Sequence, residues 1–88
     1  MGMSKLRQIL GRNVRLVRKR LRLSQEALAN EAGIDRTYVS GIERGLRNPS
    51  INLLERLSAV LGVSPADLLA ETPPVAQAEP DESASSRL

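Results

Sequence analysis

The chain lacks several residue types on which common protein chemistry depends. It has no cysteine, histidine, tryptophan or phenylalanine, and Tyr38 is its only aromatic residue. The absence of cysteine excludes disulfides and cysteine-ligated metal sites. The absence of histidine excludes Ser-His-Asp and Cys-His catalysis and histidine-ligated metals. Since the carboxylates are few and scattered, and no phosphate-binding glycine loop is present, we expect no cofactor, no metal site and no enzyme activity.

Long apolar runs are also missing. No segment approaches the roughly 20 apolar residues that span a bilayer, and the first residues contain no apolar signal core. These features predict a cytoplasmic protein with no membrane partner. The 88 residues are enough for one small domain with an aliphatic core.

The charges are distributed unevenly along the chain. Residues 1–71 carry 12 basic and 7 acidic side chains, a net charge of +5, whereas residues 72–88 carry one basic and three acidic side chains, a net charge of −2. A basic domain of this size indicates nucleic acid as the partner, rather than an acidic small molecule.

The first predicted helix covers residues 4–21, with Ser4 as its N-cap. Apolar residues recur at helical spacing and predict its buried side: Leu6, Ile9, Leu10, Val14, Val17 and Leu21. The other side holds arginine and lysine without an acid. Such a run is commonly a solvated helix face, and it also produces a long-range field that attracts phosphate. The two interpretations are compatible.

Two short helices, 24–32 and 35–44, are predicted on either side of a tight turn. Ser24 and Asp35 are good N-caps, and Gly33 supplies the left-handed residue that ends the first of the two. The second helix has an outward face that is polar and basic, without a carboxylate: Arg36, Thr37, Ser40, Gly41 and Arg44. A helix, a glycine-containing turn and a helix form the helix-turn-helix arrangement, and this face suits a negatively charged groove.

Two further helices follow. Ser50 is predicted to cap a fourth helix that Gly62 ends, and its inner stripe is expected to contain Ile51, Leu54, Leu57, Val60 and Leu61. A short fifth helix starts at Pro65, where Ser64 and Asp67 can form a capping box. Helices with such short connections predict an all-α fold, a compact five-helix bundle.

From residue 72 the composition changes to proline, alanine, serine and acids, with little to bury. We expect residues 72–88 to be a flexible tail. Such a segment could also order on a protein partner.

Five short motifs follow one another with little slack in their spacing: Ser24-Gln25, Ala29 with Gly33, Ile42-Glu43-Arg44-Gly45, Asn48-Pro49-Ser50, and Leu61-Gly62-Val63-Ser64. Each is weak alone. Together they make residues 5–70 resemble the lambda-repressor-like, or Cro/CI-type, helix-turn-helix domain of bacterial and phage transcription regulators. The resemblance implies that residues 1–71 form a DNA-binding domain. It also implies a non-enzymatic homodimer whose third helix enters the major groove of double-stranded DNA.

The resemblance implies DNA contacts residue by residue. Base contacts are implied for Arg36 and Thr37, and contacts to bases or neighbouring phosphates for Ser40 and Gly41. Gln25 is expected to bind a phosphate and to brace the third helix. Phosphate contacts after that helix are implied for the last group: Arg44, Arg47 and Asn48.

Three residues of the third helix need separate comment. Tyr38 lies between its inner and outer faces, so core packing and a phosphate contact through its hydroxyl both fit. Gly41 stands where many relatives have a longer polar reader; it offers no side chain but permits close approach of the backbone to DNA. Glu43 is expected to turn inward and pair with Arg18 of the first helix, as the resemblance also implies, and so to act as a structural brace.

Arg22, between the first two helices, is a second departure from the family pattern, which often has glycine there. If the turn needs a positive φ, arginine is strained by about 1 kcal/mol.

The leading hypothesis is a sequence-specific transcription regulator, most simply a repressor or a restriction–modification controller, that acts as a homodimer on a palindromic operator. The alternative is a protein-interaction module, such as an antitoxin or an adaptor, that uses the C-terminal tail.

Overall fold

The computed structural model describes residues 5–73, which form five helices and no strand. The helices are α1 Lys5–Arg20, α2 Gln25–Ala32, α3 Arg36–Glu43, α4 Ile51–Leu61 and α5 Pro65–Leu68. The all-α prediction with five helices is confirmed. The predicted cap at Ser4 and most of the tail, residues 74–88, lie outside the described residues.

The helix starts follow the predicted caps with one exception. The hydroxyl of Ser24 accepts a hydrogen bond from the Ala27 N–H at 2.9 Å, and Ser50 caps α4 in the same way. Ser64 and Asp67 form the complete capping box of α5. Asp35 occupies the N-cap position of α3, but its side chain makes no capping bond, so that part of the prediction is wrong.

The C-terminus of α1 has the geometry that glycine usually provides. Arg22 lies at φ 61°, and the Leu23 N–H reaches back to the carbonyl of Arg18 at 3.0 Å. The residues in the equivalent place after α2, α3 and α4 are Gly33, Gly45 and Gly62. The sequence analysis expected strain at Arg22 if the turn needed a positive φ, and the turn has one. A residue with a side chain in the left-handed region costs about 1–2 kcal/mol.

The core is aliphatic and draws on all five helices. Its fully buried side chains include Val14, Leu28, Ile42, Leu57 and Leu68. The third helix packs against both α1 and α2. Because of this, the inner side of α3 is fixed from two directions and its outer side is left for other contacts.

Three residues predicted for the buried stripes are exposed instead. Leu6 lies in the first turn of α1 and Leu21 directly after its last residue, and Ile51 is 74% exposed at the start of α4. Ile51 is the first residue of α4 and shares a side of the helix with the buried Ser58, seven residues later, so its exposure comes from its place at the helix end. Leu53, which the sequence analysis left out of the inner stripe, is buried.

The first helix also holds the end of α5 through a buried polar side chain that the sequence analysis did not single out. Asn13 is fully buried, and its Nδ2 donates to the carbonyls of Leu68 at 2.9 Å and Ala70 at 2.8 Å. Arg12 donates to the Asn13 side-chain oxygen and to the carbonyl of Glu71. These bonds satisfy carbonyls that a helix C-terminus leaves without an intrahelical partner.

Candidate nucleic-acid interface

The turn between α2 and α3 sets the exposure of the first residues of α3. Gly33 leaves α2 at φ 74°, and the Ile34 N–H bonds to the carbonyl of Ala29 at 2.9 Å. Ile34 then packs against the core. As a result, the chain enters α3 from the core side, and the exposed side chains that follow are those of the N-cap Asp35 and then Arg36 and Thr37.

The outward side of α3 is polar and carries no exposed carboxylate after its N-cap. Arg36, Thr37 and Arg44 are exposed and Ser40 is half-buried. Within residues 5–73, no ion pair holds the Arg36 side chain. The free N–H groups at a helix start and its dipole favour an anion there. This surface is therefore available to a polyanion.

Glu43 of α3 turns into the protein and meets Arg18 of α1. Arg18 Nε donates to Glu43 Oε2 at 2.6 Å, and a second guanidinium nitrogen donates to Oε1 at 3.0 Å. Only 9% of the Arg18 side chain and 5% of the Glu43 side chain are exposed. The predicted contact is present as a two-bond pair. Arg18 also donates to the carbonyl of Leu23 at 2.8 Å, which ties the pair to the end of α1.

Gln25 completes the cluster around Glu43. Its Nε2 donates to Glu43 Oε1 at 3.0 Å, so α1, α2 and α3 are joined at one carboxylate. The sequence analysis assigned Gln25 a bracing role and a phosphate contact. The bond to Glu43 supplies the bracing geometry, and the phosphate contact stays a prediction. The family resemblance implied the brace, whereas the identity of its partner required the fold.

The space that the missing side chain of Gly41 leaves is filled by Arg47. Gly41 is buried, and a β-carbon placed on it would lie 2.7 Å from Cγ and 3.0 Å from Nε of Arg47. The stem of Arg47 therefore lies beside the Gly41 backbone, and the close approach of that backbone to DNA stays a prediction. A base or phosphate contact by Gly41 stays a prediction.

Tyr38 is half-buried and packs against the core, and the Arg47 side chain lies over one face of its ring. The guanidinium carbon of Arg47 lies 4.9 Å from the centre of the Tyr38 ring, within the range of a cation–π interaction. The sequence analysis missed this pair. The predicted phosphate contact through the Tyr38 hydroxyl is not tested by it.

The turn after α3 brings the remaining predicted phosphate ligands to the surface. Gly45 lies at φ 78°, and Arg44, Arg47 and Asn48 are exposed on either side of it. Arg44 lies at the start of this turn and Asn48 at its end, and both side chains are exposed to solvent. Their phosphate contacts remain predictions.

The described residues contain neither a candidate metal site nor a candidate membrane-spanning helix. Residues 5–73 contain no group of three or more acidic, cysteine or histidine side chains that could hold a metal ion. Among the same residues, no helix has the length and apolar character needed to cross a bilayer.

A short exposed helix with a basic outer face, set on a second helix by a glycine turn, is the arrangement of the helix-turn-helix class of DNA-binding transcription regulators. The family model described as Helix-turn-helix matches residues 14–68, and the chain belongs to this family. Its relatives are transcription regulators and not enzymes.

Three relatives illustrate the likeness. The control protein C.BamHI of Bacillus amyloliquefaciens is 48% identical over 65 residues, which are 73% of this chain and 80% of that protein. The restriction-modification controller protein C.AhdI of Aeromonas hydrophila has a crystal structure that superposes with a TM-score of 0.68 at 40% identity, covering 70% of this chain and 94% of C.AhdI.

The third relative is SinR, a master regulator for biofilm formation, whose structure in complex with DNA superposes with a TM-score of 0.66 at 45% identity over 69% of this chain and 98% of that chain. SinR of Bacillus subtilis is the longer protein, and the match covers 58% of it.

Proposed function

We propose that this protein is a sequence-specific transcription regulator that places α3 in the major groove of its operator. The observation that carries the proposal is the sorting of charge on α3: Glu43, the carboxylate within the helix, is buried in an ion pair, while Arg36 and Thr37 are exposed. The first turn of a groove-bound recognition helix is the part that reaches base edges.

The proposed base contacts follow from side-chain chemistry. The guanidinium of Arg36 can donate two bonds to O6 and N7 of guanine, and Thr37 can bond a base or offer its methyl group to thymine. Ser40 lies one turn further along the same side. Gln25, Tyr38, Arg44 and Asn48 are the proposed phosphate ligands, which position the protein without reading sequence.

We further propose that the protein acts as a homodimer on a palindromic operator. A single α3 of eight residues reads only a few base pairs, so a two-fold pair of helices supplies the length that specificity needs. The two half-sites would be centred about 34 Å apart, one turn of B-DNA. Because bacterial DNA lies in the cytoplasm, we expect a transcription regulator of this type to act there.

Selection of bound sequences from a random double-stranded pool tests this function. We expect a palindromic consensus, and an affinity that falls steeply as salt is raised, since displaced counterions dominate a phosphate-driven interface. An affinity for the selected site that does not change with salt would contradict the proposal. So would a selected pool without any shared sequence.

The interaction-module alternative depends on residues 72–88, of which 74–88 lie outside the described residues. It stays a prediction. Pull-down with the full chain and with residues 1–71 tests it, because a partner of the tail is captured only by the full chain.

A further inference from the structure

We infer that a basic cleft between α1 and the end of α3 is the docking site of an acidic segment of this same chain, residues 79–82. The segment lies beyond the described residues, and three of its four side chains are carboxylates. The docking is independent of the proposed function. Its effect on DNA binding rests on that function, because the cleft includes Arg44, a proposed phosphate ligand.

The basic cleft has a volume of about 540 Å³. Six residues line it: Gln8, Arg12, Arg15, Leu16, Glu43 and Arg44. Its three arginines are exposed, whereas the Glu43 carboxylate is buried in its bonds to Arg18 and Gln25. The surface of the cleft that faces solvent is therefore positive, which favours an anionic occupant.

The arginines of the cleft lack a carboxylate partner among the residues that the structure describes. Within residues 5–73, no ion pair holds Arg15 or Arg44. Arg12 donates to the Asn13 side chain and to the backbone carbonyls of Ala70 and Glu71, all of which are uncharged. Three positive charges thus stand together without a balancing negative charge from this part of the chain.

The chain leaves the described region at the edge of the cleft. Arg12 holds the carbonyl of Glu71 at 2.6 Å, so the residues after α5 are fixed beside a residue that lines the cleft. Arg15 is three residues further along α1, which is about 4.5 Å at the helical rise. The segment that follows Glu71 therefore starts next to its proposed docking site.

The connecting chain is long enough to reach the cleft and short enough to favour it. Glu79 is eight residues after Glu71, and an extended chain of that length spans at most about 26–29 Å. A short tether holds its end at an effective concentration on the order of millimolar. Even a weak intrinsic affinity is then sufficient, which favours the segment of the same chain over a free acidic peptide.

The chemistry of the two partners matches. Carboxylates accept paired hydrogen bonds from guanidinium groups, and the segment offers Glu79, Asp81 and Glu82 to the three arginines. Leu16 is 38% exposed in the cleft and gives an apolar contact for Pro80 between the carboxylates. A docked carboxylate and a DNA phosphate compete for Arg44, so the docked segment lowers the affinity for all DNA sequences alike.

Paramagnetic relaxation in the full chain tests the docking, and the absence of cysteine makes the labelling simple. Ser83→Cys places a single nitroxide directly after the acidic segment. Without DNA, we expect the label to broaden the backbone amide signals of Arg15, Leu16 and Arg44. Because the attraction is electrostatic, the broadening should be lost at high salt. It should also be lost in an excess of double-stranded DNA.

Two variants of the labelled chain test the role of charge. Arg15→Gln removes one charge of the cleft, and Arg15 is exposed and is not a proposed DNA ligand. We expect it to lose the broadening at Leu16 and Arg44. Arg56→Gln is the matched control, because Arg56 is an exposed arginine that lies beside Gly33, outside the lining of the cleft. It should keep the wild-type broadening.

The second variant changes the segment and leaves the five helices unaltered. Glu79→Gln, Asp81→Asn and Glu82→Gln together replace its carboxylates by amides, and we expect the broadening at the cleft to be lost. Broadening that persists in this variant would overturn the inference, and so would a wild-type chain without broadening at the cleft. Arg15→Gln with the broadening of the wild type would exclude the cleft as the site.

An equal mixture of spin-labelled chain and isotope-labelled chain without a nitroxide shows whose segment is bound. Broadening at the cleft in this mixture would assign the segment to a second copy and overturn docking within one chain. Docking that survives an excess of DNA would overturn the competition at Arg44. A chain that binds no DNA would overturn the proposed function, whereas the docking, which is measured without DNA, would stand.

Discussion

At the scale of single residues, the end of α1 contains a strained backbone conformation at Arg22. Arg22 adopts φ 61°, a conformation that the chain assigns to glycine at the ends of the next three helices. The same type of backbone hydrogen bond closes the helix here as at those glycines, because the Leu23 N–H donates to the Arg18 carbonyl. The strain is therefore confined to the Arg22 backbone.

We predict that Arg22→Gly stabilises the protein by about 0.5–1 kcal/mol, because relief of strain exceeds the extra entropy of glycine in the unfolded chain. Thermal unfolding measures this as a rise of about 2–8 °C for a domain of this size. Gly62→Ala is the reverse control: no atom lies within 4 Å of the added carbon, so a loss of about 1 kcal/mol would come from backbone strain alone. A lower melting temperature for Arg22→Gly would contradict this account.

Arg36 is the proposed base-reading residue at the exposed start of α3. We predict that Arg36→Ala relaxes base preference at one position per half-site, while Arg44→Ala weakens binding to all sequences alike and lowers the salt slope by about one. Competition binding with selected and scrambled duplexes distinguishes the two. Equal loss of specificity in both variants would refute this assignment of base and phosphate contacts.

At the scale of elements, the orientation of α3 depends on a buried carboxylate. Glu43 receives bonds from Arg18 of α1 and Gln25 of α2, so both neighbouring helices fix the end of α3 through one side chain. Gly11 permits this arrangement, since a β-carbon there would collide with the backbone carbonyls of Ile42 and Glu43. The close approach of α1 and α3 and their ion pair therefore depend on each other.

We predict that Glu43→Leu destabilises the fold by about 3–5 kcal/mol, because it leaves the Arg18 guanidinium buried without its partner. The double variant Arg18→Met/Glu43→Leu is expected to recover most of that loss, since it removes both charges and keeps apolar volume. Urea unfolding of the two variants measures the difference. Equal stability of the single and double variants would show that the buried charge is not the cause.

The short helix α5 depends on α1 in the same way. We predict that Asn13→Ala raises amide hydrogen exchange in α5, at a cost of about 1–3 kcal/mol. The Asp67 and Leu68 carbonyls lose the Asn13 donor, and the Ala70 carbonyl keeps only its bond from Arg12. Ser64→Ala is the control for the other end of α5 and should cost about 1 kcal/mol through the lost N-cap. Unchanged exchange in Asn13→Ala would mean that α5 is held by Leu68 alone.

At the scale of the whole molecule, the net charge of +3 combines a basic region of +5 with a C-terminal region of −2. Long-range fields depend on this sum and are screened by salt over about 10 Å at 0.1 M. The three carboxylates after residue 72 therefore act against the attraction of DNA wherever they lie within that distance.

We predict that replacing them by amides, with Glu79→Gln, Asp81→Asn and Glu82→Gln, speeds association with DNA at low salt, because removal of three negative charges takes the net charge from +3 to +6. Stopped-flow association at two salt concentrations measures the effect, which should shrink at high salt. The base preference should stay the same, since these residues are not proposed to touch bases. A rate that does not respond to the substitutions would place the tail beyond the reach of the DNA field.

Much of the molecule was predictable because the signals are local. The helix bounds follow from apolar periodicity and from caps such as Ser24, Ser50 and Ser64, each of which acts within one turn of its own helix. The ion pair of Arg18 and Glu43 could be expected because a carboxylate on the inner side of a basic helix needs a partner. The family resemblance added the order of the motifs.

The sequence by itself thus determined the helices, the helix-turn-helix and the exposed positions of Arg36 and Thr37. The tertiary structure alone decided that Arg47 covers Gly41, that Asn13 is buried at the end of α5, and that Leu53 is buried while Ile51 is exposed. The physical reason is range. Caps and periodicity act within one element, whereas these three outcomes depend on how separate segments meet, which no short stretch of sequence encodes.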